Sequence, residues 1–167
     1  MIGWVRHLMA RYEIATSGYF DAIGWFPSRA SRRAINASGQ PMPWFTYPAV
    51  AFLTERMCRN WRVLEFGSGM GTLWWAHQVD HHIALEHNDV WAKRVAKSSS
   101  ARVLSTSDAD AAQYIAPARY LGPFDVVIVD GLFRCECLLA ACDLLSENGV
   151  ILLDDAHRTE YTSAVET

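Results

Sequence analysis

The chain has 167 residues, half of them apolar and a fifth charged, which fits one domain with a single sizeable core and excludes a disordered chain. Its net charge of −3, with no long basic stripe, gives no argument for nucleic acid as an electrostatic partner, and none is expected. The four cysteines, Cys58, Cys135, Cys137 and Cys142, match neither a zinc spacing nor a disulfide framework, so they read as buried thiols of a protein in a reducing cytoplasm.

The first element is a helix over "MIGWVRHLMARYEIA", where Ile2, Val5, Leu8, Met9 and Tyr12 recur at spacings of three and four. A membrane-surface helix has such an apolar face, usually with more basic residues opposite it than Arg6 and Arg11. No apolar run approaches the roughly 18 residues that span a bilayer, and no secretory signal pattern is present. The expectation is therefore no membrane partner, and a helix packed on its own domain or on a second subunit. "SGYFDAIGWFPSRASRRAINASGQ" follows, rich in Gly, Ser, aromatics and arginine and poor in period. A compositional break near Ser38 divides this N-terminal extension, residues 1–40, from a domain over residues 41–167. That domain opens on "PMPWFTYPAVAFLTERM", where Pro41, Pro43 and Pro48 stiffen the chain ahead of a helix through Val50, Leu53 and Met57.

From Trp61 onward, apolar runs at "WRVLEF", "HIALE", "ARVLS", "FDVVIVD" and "GVILLDD" alternate with helical patterns over 73–79, 90–96, 111–115 and 132–145. Continuous apolar strands separated by helices predict an α/β fold: a doubly wound, mainly parallel five-stranded sheet with helices on both faces. In such sheets the ligand lies beyond the carboxyl ends of the strands. All five runs end in or near an acid: Glu65, Glu86, Asp108 or Asp110, Asp130, and Asp154 with Asp155.

Between the first strand and its helix stands "EFGSGMGT", with Gly67, Gly69 and Gly71 at alternate positions. Glycine there permits a sharp turn and close approach of a ligand to bare main chain. A dinucleotide fingerprint requires glycine at position 72, which is Thr72, and a phosphate-cradling loop requires a lysine that this turn lacks. Glu65 also disfavours a pyrophosphate and favours a cationic ligand. Glu86 lies 21 positions beyond Glu65, where related sheets place a carboxylate on ribose hydroxyls.

The motif E-x-G-x-G-x-G resembles the first motif of class I S-adenosylmethionine-dependent methyltransferases. "PMPWFTYPAVAFL", "VLEFGSGMGTLWWA", "ALEHNDVWAKRV" and "FDVVIVDG" together look like a small bacterial group of that family, over about residues 38–158. The resemblance implies S-adenosylmethionine as cofactor, whose sulfonium and ammonium suit the acids. It implies binding by Glu65, Gly67, Ser68, Gly69, Gly71 and Thr72 at the turn, and by Glu86 with His87 at the ribose. An acid–small pair, Asp108–Ala109, falls at the adenine, with Asp110 fitting the pattern two residues on, and Asp130 and Tyr47 complete the set. "PMPWFTYPAV" is expected to cover the cofactor with Trp44, Phe45 and Tyr47.

For chemistry, His157, Asp130 and Asp154 are the candidate catalytic groups, His157 as general base because imidazole as a group titrates near working pH. Asp130, Asp154 and Asp155 resemble the cation site of catechol-type O-methyltransferases, so a divalent cation stands as a less favoured alternative. Arg134 either pins an anionic acceptor or pairs with Asp130. The expected activity is O-methylation of a small-molecule or sugar-like acceptor; the alternative is a non-catalytic S-adenosylmethionine-binding subunit or truncated remnant. The family's sheet continues past the fifth strand into an antiparallel pair, whereas "RTEYTSAVET" supplies only the first turns of the next helix. The open sheet edge this leaves calls for a homo-oligomer or a partner chain to cover it.

Overall fold

A computed structural model describes residues 2–16 and 18–167. The N-terminal extension forms α1 (Ile2–Thr16), α2 (Tyr19–Ala22) and α3 (Trp25–Ser31). A turn closed by an antiparallel bridge between Ile35 and Pro41 then leads to α4 (Tyr47–Arg56). Thr46 caps α4, its hydroxyl oxygen accepting from the Ala49 N–H at 3.4 Å, and Pro48 falls in the first turn, where its missing N–H is not needed.

Regular alternation follows: β1 (Arg62–Phe66), α5 (Met70–Gln78), β2 (His81–Glu86), α6 (Asp89–Lys97), β3 (Arg102–Ser105), α7 (Ala111–Ile115), β4 (Phe124–Val129), α8 (Arg134–Cys142), β5 (Leu145–Leu153) and α9 (Thr162–Val165). The five strands form one sheet in the order β3-β2-β1-β4-β5, every pair parallel. Strand order reverses between β1 and β4, which opens the crevice of a doubly wound sheet at their carboxyl ends.

Alternate residues of the strands build two cores. Val63, Val126 and Ile128 meet Val50 and Leu53 of α4 and Trp74 and Trp75 of α5 on one face. Leu64, Phe66, Val127 and Val129 meet Tyr114 and Ile115 of α7 and Cys137 and Ala141 of α8 on the other. Burial on both faces is why these strands read as unbroken apolar runs. Among the described residues no helix is long and apolar enough to cross a membrane.

α1 packs against α2 and leaves its residues 3–14 exposed. The segment after it, poor in period, still forms two short helices, held together by Phe20, Trp25 and Phe26 ring contacts. The helix expected over 132–145 ends at Cys142, and Leu145 instead opens β5 opposite Phe124. Pairing then slips across a bulge to Val126–Val150, so "SENG" lies within the strand rather than ahead of it. Of the cysteines only Cys137 is buried, its thiol pushed up to about 12 by burial first and by Glu136 second.

Candidate functional site

The three glycines of the turn do three different things. Gly67 has φ +104°, and a Cβ there would lie 2.8 Å from the Asp130 carbonyl oxygen. Gly131 answers it from just beyond β4: a Cβ on Gly131 would lie 2.8 Å from the Gly67 nitrogen and 2.4 Å from the Tyr114 hydroxyl. These two glycines let the exits of β1 and β4 press together. Gly69 has extended backbone, and nothing lies within 4 Å of where its Cβ would be. Gly71 is in between: its Cβ position is 3.1 Å from Glu65 Oε1 and 3.7 Å from Pro43 Cβ. Gly69 is therefore the one of the three whose main chain faces open space.

Thr72 explains why this turn is not a dinucleotide fingerprint. Fully buried, it accepts from the Gly69 N–H at 2.8 Å and donates to Glu65 Oε2 at 2.6 Å. The hydroxyl thus ties the start of α5 to the carboxylate of β1, which glycine cannot do. Glu65 is buried, and from β2 the equally buried His82 places Nε2 3.3 Å from the same Oε2, neither ring nitrogen making a hydrogen bond among the described residues. The remaining side of Glu65 faces a cavity of about 120 Å³. Ser68, Gly69, Gly71 and Asp130 also line it, with Pro43, Trp44 and Phe45 of the proline-rich segment as its cover. Two carboxylates and bare main chain, with no Lys or Arg in the lining, select for positive charge.

At the end of β2, Glu86 is also buried. The Ser68 hydroxyl donates to its Oε2 at 2.8 Å and the Asn88 N–H to its Oε1 at 2.9 Å, while His87 Nδ1 lies 3.0 Å away. Trp91 Nε1 donates to the Ser68 carbonyl at 2.9 Å, so Ser68 is held from both sides. Asp110 caps α7, accepting from the Gln113 N–H at 2.8 Å and its Nε2 at 2.7 Å, and these bonds hold its carboxyl below the usual range. Asp108 and Ala109 are exposed in the loop after β3 and do not line the cavity. Between the two acids the sequence left open, Asp110 is engaged in the helix cap and Asp108 is not. Tyr47 does not line this cavity; it lines one of about 510 Å³ between the extension and the proline-rich segment, which shares Pro43, Trp44 and Phe45 with the first.

The carboxyl ends of β4 and β5 converge on one cation. Arg134, at the start of α8, lies 2.7 Å from Asp130 Oδ1, 3.5 Å from Asp154 Oδ2 and 3.8 Å from Asp155 Oδ2, and also donates to the Asp154 carbonyl at 2.9 Å. Arg158 pairs with Asp155 as well. The three acids with a cation site in prospect are thus gathered around the chain's own guanidinium, and no group of three or more potential ligands is found among the described residues. Arg134 does not offset the acids around it: burial first, then the Asp154 carboxylate, raises the Asp130 pKa to about 7 against the pull of Arg134. His157 is exposed in the turn after β5 and lines, with Asp154, Asp155, Trp44 and Phe45, a cavity of about 590 Å³. Asp130 and His157 therefore line different cavities, which share Trp44 and Phe45 as a common wall.

Sequence reasoning passed over Gly131 and His82. The pairing of Val63 with His82 puts His82 on the Glu65 face of the sheet, but only the strand register reveals it. No model of a known protein family, no curated protein and no solved structure matches the chain significantly.

Proposed function

We propose that the chain is an S-adenosylmethionine-dependent methyltransferase acting at oxygen on a small-molecule or sugar-like acceptor. The observation that carries the reading is the bare Gly69 main chain opening on a cavity lined by Glu65 and Asp130 and free of basic side chains. At about 120 Å³ that cavity falls below the roughly 300 Å³ of a complete small-molecule site, so it suits the cationic end of the cofactor rather than all of it. When bound, the cofactor supplies a methyl group made electrophilic by a sulfonium. Glu65 and Asp130 attract that positive charge, Gly69 leaves room for it, and Glu86 and Asp108 are the carboxylates assigned to the ribose and adenine.

Trp44 and Phe45 stand between the two cavities, where they exclude water and position an acceptor in the larger one. His157, in that larger cavity, takes the acceptor's hydroxyl proton on an imidazole nitrogen. Asp154 orients the acceptor, and Arg134 keeps the acids of β4 and β5 in place.

Methyl release from labelled cofactor, measured over phenolic, catecholic and polyol acceptors, tests the reading. The expected outcome is turnover with at least one class, and a fall in kcat of about 100-fold in His157→Ala with cofactor affinity unchanged. Binding without turnover would favour the non-catalytic subunit, a reading supported by the separation of His157 from the cavity at the glycine turn.

A further inference from the structure

We infer that α1, α2 and α3 dock on an anionic lipid surface, with α1 lying in the plane of the interface. Trp4, Val5, Leu8 and Met9 recur at helical spacing on one side of α1, and all four are exposed, Trp4 at 72% and Met9 at 58%. A helix of 15 residues is marginal in water unless its apolar side is covered. α1 packs against the short α2, α2 against α3, and α3 adds exposed Trp25 and Phe26.

The charge of this part of the chain selects the partner. Residues 1–40 hold five arginines against Glu13 and Asp21, whereas the rest of the chain holds ten basic and sixteen acidic residues. An anionic plane attracts the extension and repels the body, which orients the molecule. Arg6 and Arg11 alone are a sparse basic complement for a surface helix, and exposed Arg29, Arg32 and Arg33 in and just after α3 supply the remainder. Arg29 lies over the Trp25 ring at 5.6 Å, joining a cation to an aromatic as interfacial anchors do.

A second copy fits this face less well. Two extensions carry like charge. α1 is about 22 Å long and about 10 Å across, so its face is far smaller than the roughly 800 Å² per partner of a standard stable interface. A bilayer surface needs no matched partner face and accepts such side chains to a depth of about 5–10 Å.

Sedimentation of the full chain with vesicles of phosphatidylglycerol and phosphatidylcholine, against phosphatidylcholine alone, tests the inference. Binding to the anionic vesicles is expected to exceed binding to neutral ones by at least about tenfold, and to weaken as salt rises from about 0.1 to about 0.5 M. Leu8→Glu with Met9→Glu should lower it about tenfold or more through lost apolar insertion, and Arg29→Glu with Arg32→Glu by a similar factor through charge, both with the melting temperature of the domain retained. Absence of anionic-vesicle binding, or equal binding by the Leu8/Met9 variant, would overturn it. A wild-type dimer in light scattering that this variant converts to monomer would assign the face to a second copy and overturn it too.

Discussion

At the exit of β1, the buried Glu65 is tied by Thr72 to the main chain of Gly69; at the exit of β4, Asp130 competes with Asp154 and Asp155 for Arg134. The two exits touch through Gly67 and Gly131, yet one is settled by a short hydroxyl bridge and the other is left with more negative charge than its cation offsets. The first arrangement fixes a shape. The second holds a carboxyl whose proton is exchangeable near neutral pH, as acid–base chemistry requires.

The two exits are most sensitive where Gly67 and Gly131 meet. Gly67→Val should cost about 3 kcal/mol or more of stability, because φ +104° and a Cβ 2.8 Å from the Asp130 carbonyl oxygen both oppose it. Gly69→Ala, with open space at that Cβ, should stay within about 0.5 kcal/mol. Thermal melting of the two variants reads the difference, and equal losses would remove the distinction drawn between these glycines.

Arg134→Met should come next, at about 2–3 kcal/mol at pH 8, by leaving three carboxylates without their shared partner. The loss should shrink at pH 5, where Asp130 is protonated in the fold, and urea denaturation at both values measures it. Glu86→Ala should weaken cofactor binding by about 1–3 kcal/mol in calorimetry, with Ser68→Ala losing less, since Ser68 only supports the carboxylate.

A further effect concerns Asp130. Its folded pKa of about 7 lies above the roughly 3.9 of an unfolded chain, so the fold favours its protonated form. That stabilisation is complete below about pH 4 and is lost as pH rises through about 7. Asp130→Asn should therefore gain stability relative to the wild type at pH 8 compared with pH 5. A constant difference across that range would contradict the raised pKa.

The strands were legible because burial on both faces leaves continuous apolar runs at β1, β2 and β4. The start of β5 was not, since Ser146, Glu147, Asn148 and Gly149 carry turn chemistry and are taken into the strand only by a bulge opposite β4. The glycine turn was visible as a motif, but alternate spacing makes Gly67, Gly69 and Gly71 look equivalent; their division of labour depends on what β4, Glu65 and Pro43 place beside each. Arg134 was read with two possible roles, and only the convergence of Asp130, Asp154 and Asp155 makes it a clamp. Tyr47 was grouped with its neighbours Trp44 and Phe45, and it shares with them the cavity beside the extension, but unlike them it does not line the cavity at the glycine turn.

The most direct test of the central claim is calorimetric titration of the wild-type chain and Gly69→Arg with S-adenosylmethionine, with NADH as control. The expected result is saturable binding of S-adenosylmethionine to the wild type, at least about 100-fold weaker binding to the folded variant, and no binding of NADH. NADH binding by the wild type, or unchanged affinity for S-adenosylmethionine in Gly69→Arg, would contradict it.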